Sequence, residues 1–189
     1  MTELSPASRR RLLEIARQSI AEGLRGRRYR PQDPEDPALL RPCGAFVTLR
    51  AKGALRGCIG SLQARGPLYR TVAEMAHAAS FEDPRFPPLA PEELDRVEIE
   101  ISVLSPLERV TDPAEIQVGT HGIYLVKGPC RGVLLPQVAV EYGWDRIEFL
   151  ERTCEKAGLP PQAWRSGAEI YRFAAEVFGE GDLSPGCGG

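Results

Sequence analysis

Lysine is nearly missing from this chain: of 24 basic residues only Lys52, Lys127 and Lys156 are lysine, the rest arginine. Histidine is scarcer still, with His77 and His121 alone, so a zinc site of histidine and cysteine has few possible members. The five cysteines, Cys43, Cys58, Cys130, Cys154 and Cys187, are odd in number and form no CxxC pair. That pattern argues against a disulfide framework and against a four-cysteine zinc site. Apolar runs are short and broken by charges, so none could span a bilayer. The opening MTELSPASRRRLLEIARQ puts charges where a secretory signal needs its apolar stretch, and the expected location is cytoplasmic. The stretch Gly53 to Gly60 lacks the GKS or GKT ending of a phosphate loop, which removes a nucleotide-binding motif.

What remains is the composition of a soluble globular protein, 42% hydrophobic and 26% charged over 189 residues. That length suits one domain or two small lobes sharing a core. A formal net charge of -2 selects no partner. Locally, residues 9–30 hold eight arginines against Glu14 and Glu22, a balance of +6. Such a run is either a solvated helix face or a surface for nucleic acid or an acidic partner.

Ser5-Pro6 reads as an N-cap with proline in the first turn of an amphipathic helix running to about Leu24. Prolines 31, 34, 37 and 42 then make an extended connector. Ala45–Arg50 and Ala54–Ile59, separated by Ala51-Lys52-Gly53, predict a β-hairpin. A helix is predicted from Pro67 to about Ser80, and a rigid loop over Asp83–Pro88. Val97–Leu104 alternates apolar and polar residues, with Glu98, Glu100 and Ser102 on the non-core side. A second hairpin surrounds Gly128–Arg131, and a helix from about Asp145 to Ala157 ends at Gly158. Glu169–Phe178 suits strand or helix. The fold class expected is α+β with mainly antiparallel neighbours, and a tail over 181–189 is expected to be flexible.

Within Leu55-Arg56-Gly57-Cys58-Ile59-Gly60, two glycines bracket a cysteine near a strand end. Glycine there permits positive φ and lets a backbone or a ligand approach the thiol. Arg56, two residues earlier and expected on the same strand face, is placed to act on the thiol or on an anionic substrate. The alternative is a tight strand with a small buried hydrophobe. His121, in a glycine-flanked turn, is an acid or base, or else a surface turn residue. His77 reads as an exposed helix residue. Asp83 and Arg85 are pre-oriented by prolines, for catalysis and substrate binding, or else Asp83 caps the turn and Arg85 pairs with it. Glu98 and Glu100 are candidate carboxylates on a sheet face that could equally be solvated. Gln137 in LLPQV offers both a donor and an acceptor.

The ordered blocks FVTL, LRGCIG, FEDPRFPPL, ISVLSPLERV, GTHGI, GVLLPQVAVEYGWD and CEKAGL resemble the AMME chromosomal-region protein family, called AmmeMemoRadiSam system protein A in prokaryotes. The resemblance implies residues 1–180 forming two intertwined α+β lobes, a mainly antiparallel sheet flanked by helices, with a cleft between the lobes near LRGCIG. It carries over Arg56, Cys58, Asp83, Arg85, His121 and Gln137, and more weakly Glu100. Cys130, in a variable turn, receives no role. The family names no cofactor and no reaction, and its association with radical-SAM and Memo-type proteins implies a shared pathway. Two function classes follow. One is an enzyme with Cys58 as nucleophile or redox thiol, His121 as its base if the fold brings the two within hydrogen-bond reach, and Arg56 or Arg85 as anion anchor, acting on a small anionic substrate. The other is a binding or adaptor protein for a protein or nucleic-acid partner. Metal binding through Cys58, His121 and a carboxylate has suitable ligands but no motif spacing.

Overall fold

The computed structural model describes residues 3–63 and 66–183. The chain divides into two compact units: one up to Leu104 and again from Glu176, the other Ser105–Ala175.

The first unit opens with helix α1 (Pro6–Leu24), started by Ser5, whose hydroxyl accepts the Ser8 N–H at 3.0 Å. Its stripe of Leu12, Leu13, Ile15, Ala16 and Ile20 is buried. The proline-rich connector is extended apart from one short turn, α2 (Pro37–Leu40), capped by Asp36. Strands β1 (Ala45–Ala51) and β2 (Ala54–Ser61) form the expected hairpin. Lys52 and Gly53 both take positive φ, 51° and 79°, as a two-residue hairpin turn matching strand twist requires. Helix α3 (Leu68–Phe81) packs beside α1, and β3 (Val97–Leu104) completes the order β2-β1-β3. Val47 and Leu49 of β1 with Ile99 and Ile101 of β3 meet both helices in one core.

Three expectations need correction here. Burial on the polar side of β3 rises from exposed Glu98, through half-buried Glu100, to Ser102 at 1% exposure, so that side is not a uniformly solvated face. The expected tail begins too early, since Glu180–Leu183 is a short 3₁₀ turn in which Asp182 accepts the Gly179 N–H at 2.7 Å. The remainder, Cys187 included, lies outside the described residues. His77 is also not exposed: its ring packs on Phe81 at 4.8 Å and its Nδ1 is buried. Gly23 of α1 allows this, because a Cβ there would lie 2.3 Å from the Phe81 ring.

The second unit contains β4 (Glu108–Arg109), hairpin β5 (His121–Lys127) with β6 (Cys130–Leu134), α4 (Pro136–Glu141), α5 (Arg146–Lys156) and most of β7 (Glu169–Gly179). β7 is a strand because β5 and β4 both offer it antiparallel partners. Helix α4 was not anticipated; Pro136 sits at its first position, where a missing N–H costs nothing. Phe149, Leu150 and Cys154 of α5 join Ile123, Leu125 and Ile170 in a separate core. Every strand pairing with a defined register is antiparallel and helices flank the strands, so the fold is α+β as expected. Among the described residues, no helix is long and apolar enough to cross a membrane.

Candidate functional site around Cys58

Strand β2 lies at a sheet edge, and its pairing with β1 shifts register between Leu49 and Arg50. Arg50 faces Leu55, whereas Leu49 faces Gly57, which leaves Arg56 as the extra residue of a β-bulge. The consequence is large. Continued without the bulge, the hairpin register would set Cys58 opposite Val47, a core residue. With it, Cys58 stands opposite Thr48, and Thr48 stands opposite Glu100 of β3. Directly paired residues share a sheet face, so Cys58, Thr48 and Glu100 form one row across three strands. The bulge also overturns simple alternation between Arg56 and Cys58.

The bracketing glycines answer to packing. A Cβ on Gly57 would lie 2.2 Å from the Ala79 carbonyl oxygen of α3, and one on Gly60 would lie 2.1 Å from the Phe46 ring. Neither has positive φ, so of the two sequence rationales only close backbone approach applies.

An edge strand leaves N–H and C=O groups without partners. At Cys58 both are taken by side chains. Asp83 Oδ2 accepts the Cys58 N–H at 2.9 Å, and Arg85 Nη2 donates to the Cys58 carbonyl at 3.1 Å. Arg85 also grips Asp83 through Nε at 2.9 Å and Nη2 at 2.6 Å, so the pair clamps the strand as a neighbouring strand would. The buried Asp83 carboxyl is held well below the usual carboxylate range, first by the Arg85 hydrogen bonds and then by the Cys58 and Arg85 N–H groups, against the opposing effect of burial. On the other side, the Thr48 hydroxyl donates to Cys58 Sγ at 3.3 Å. Thr48 is 6% exposed and was missed by sequence reasoning, because only the bulge brings it opposite the thiol.

Arg56 is engaged by Glu93 through Nε at 2.7 Å and Nη2 at 2.9 Å, which holds the Glu93 carboxyl below its ordinary range. Its Nη1 is buried without a partner among the described residues. The Phe86 ring lies 5.9 Å from the Arg56 guanidinium and 5.6 Å from that of Arg85. Arg85 keeps about half of its side chain, 51%, open to solvent. The structure thus gathers Arg56, Cys58, Asp83, Arg85 and Glu100 in the first unit.

His121 and Gln137 belong to the second unit. His121 Nδ1 accepts the Gln117 N–H at 3.0 Å. The neutral ring therefore carries its proton on Nε2 and presents a donor, not the base expected from sequence. Burial, helped by nearby Arg172, lowers its pKa and keeps it neutral near pH 7. Gln137, second residue of α4, has a buried Oε1 without a partner among the described residues. Among the described residues, no group of three or more His, Cys, Asp or Glu could hold a metal ion. Cys43, Cys58, Cys130 and Cys154 are free thiols, and Cys154 is fully buried.

Comparison with known proteins shows what the chain as a whole is similar to. The model of the family described as AMMECR1 matches residues 13–178. A protein of Methanothermobacter thermautotrophicus is 46% identical, over 93% of this chain and 97% of its own. One of Thermococcus gammatolerans is 46% identical, over 89% and 88%. The crystal structure of an uncharacterized protein from Pyrococcus horikoshii superposes with a TM-score of 0.85 at 42% identity, covering 89% of each chain.

Proposed function

Since the chain belongs to the AMMECR1 family, we propose from the site alone that it is a cysteine-dependent enzyme acting on a small anionic substrate. The observation that carries this is the Arg56 bulge, which turns Cys58 out of the core and into a polar row with Thr48 and Glu100. A cysteine kept only for packing gains nothing from that turn. In the proposed chemistry Cys58 supplies the attacking sulfur, and the Thr48 hydroxyl gives that sulfur a donor for its negative charge. The thiol proton passes to solvent, because Glu100 stands two strands away from Cys58, roughly 10 Å by strand spacing and outside hydrogen-bond reach. Asp83 is a positioning residue whose carboxylate is fully engaged, and the open side of Arg85 is the anchor for substrate charge.

Site-resolved alkylation of the folded protein tests this, with iodoacetate and iodoacetamide compared. Cys58 is expected to react in the native state, faster with the anionic reagent, while buried Cys154 waits for unfolding. Cys58 reacting only together with Cys154 would remove the thiol from any chemistry.

Adaptor function draws support from one feature of the second unit. Val140 and Tyr142 are 60% and 68% exposed at the end of α4, with Tyr142 stacked on Trp144 at 4.9 Å. If radical-SAM or Memo-type proteins dock there, Tyr142→Ala is expected to abolish their co-purification with this chain; retained capture would count against the surface. The arginine-rich start supports nucleic-acid binding poorly, because Arg25 and Arg27 pair with Glu22 and Arg28 pairs with Glu82.

A further inference from the structure

Of the eight arginines between residues 9 and 30, Arg9, Arg11, Arg17, Arg25, Arg27 and Arg28 make ion pairs. Among the described residues, Arg30 makes none, and it lines a cavity of about 420 Å³ with Tyr29, Pro31, Arg70, Ala73 and Glu74. Glu74, on the facing helix α3, also has no ion-pair partner among the described residues. The basic residue one turn before it, Arg70, is held instead by Asp33 at 2.8 Å and the Tyr69 hydroxyl at 2.6 Å. One guanidinium and one carboxylate therefore face the same space without touching, since no nitrogen–oxygen approach within 4.0 Å joins them. A second cavity of about 420 Å³ shares Tyr29, Arg30 and Glu74 with the first.

The walls are fixed before any ligand arrives. Tyr29 packs against the core and its hydroxyl donates to Gln18 at 2.6 Å. Pro31 has a restricted backbone. Ala73 is 3% exposed and forms a small apolar floor. Such a volume, a partly apolar lining and a pair of opposite, unengaged charges describe a small-molecule site.

We propose that this cavity binds a free α-amino acid with an apolar side chain, its carboxylate on Arg30, its ammonium on Glu74 and its side chain against Tyr29, Pro31 and Ala73. Charge selects this class. A dicarboxylate or phosphate would face Glu74 with like charge, and a polyamine would face Arg30 in the same way. A zwitterion meets both groups, and a guanidinium suits a carboxylate geometrically. The site is separate from Cys58 and stands whether or not that thiol is catalytic.

The test is ligand-observed NMR and calorimetry on the full chain with L-phenylalanine, phenethylamine, which lacks the carboxylate, and 3-phenylpropanoate, which lacks the ammonium. L-Phenylalanine is expected to bind saturably, with each half-ligand weaker by about tenfold or more. Arg30→Ala should erase the preference over phenethylamine, and Glu74→Ala the preference over 3-phenylpropanoate. Both positions are exposed, so neither change should disturb folding. Absence of saturable L-phenylalanine binding at millimolar concentration, or binding indifferent to both substitutions, would overturn the proposal.

Discussion

Gly57→Ala is expected to destabilise the protein by about 3 kcal/mol, as a shift in urea midpoint at constant slope. The added Cβ would sit 2.2 Å from the Ala79 carbonyl oxygen and 3.2 Å from its carbonyl carbon. Both are backbone atoms near the end of α3, so relief requires moving a helix whose buried residues fill the core. Gly60→Ala provides the contrast. Its Cβ meets the Phe46 ring, a half-buried side chain that can rotate aside, and a cost of about 1 kcal/mol is expected. Equal costs at the two positions would mean that α3 yields as easily as a ring. The same experiment bears on LRGCIG as a whole, because it separates glycines kept for packing from a cysteine kept for chemistry.

Much of this framework was legible in the residues. Ser5-Pro6 announced α1, the alternation of Val97–Leu104 announced β3, and Gly158 with φ of 74° ends α5 where its position predicted. What escaped detection depended on pairing. A two-residue turn at Lys52-Gly53 aligns Ala51 with Ala54, and counting back from there puts Thr48 opposite Gly57. Only the extra residue at Arg56 moves Thr48 to Cys58, and no local pattern distinguishes a bulged arginine from an unbulged one. The burial of Ser102 was hidden for a related reason. A polar residue in an alternating strand reads as solvent-facing until its surroundings are known. Glu169–Phe178 had no decisive propensity, and tertiary pairing with β5 settled it as strand. Arg56 was identifiable as an arginine near a thiol, but its engagement with Glu93 was not, because Glu93 lies far along the chain; the Asp83–Arg85 pair, two residues apart, was one of the readings the turn itself offered.

The clamp on Cys58 makes the remaining prediction pH-dependent. Asp83→Asn should destabilise the protein by about 2 kcal/mol at neutral pH. It removes the charge from a buried carboxylate that accepts from Cys58 N, Arg85 N, Arg85 Nε and Arg85 Nη2; because Arg85 is half open to water, the figure is kept below that of a fully buried pair. The native carboxyl is depressed relative to the unfolded chain, whose value lies near 3.9. Its stabilisation is therefore fully present above the unfolded value and is lost as the pH falls through the lower native one. Wild type and Asp83→Asn should thus differ most at neutral pH and converge in strong acid, read by urea unfolding at a series of pH values. A difference constant with pH would mean that shape, not charge, holds the loop. Hydrogen exchange at the Cys58 amide gives the local readout. On an edge strand that N–H has Asp83 as its acceptor, so the variant should exchange it faster while the Ile59 amide, directed toward β1, keeps its protection. Faster exchange at Cys58 joined to slower native alkylation of its thiol would identify the Asp83–Arg85 pair as what presents the sulfur. Unchanged alkylation would leave that task to Thr48 and the bulge.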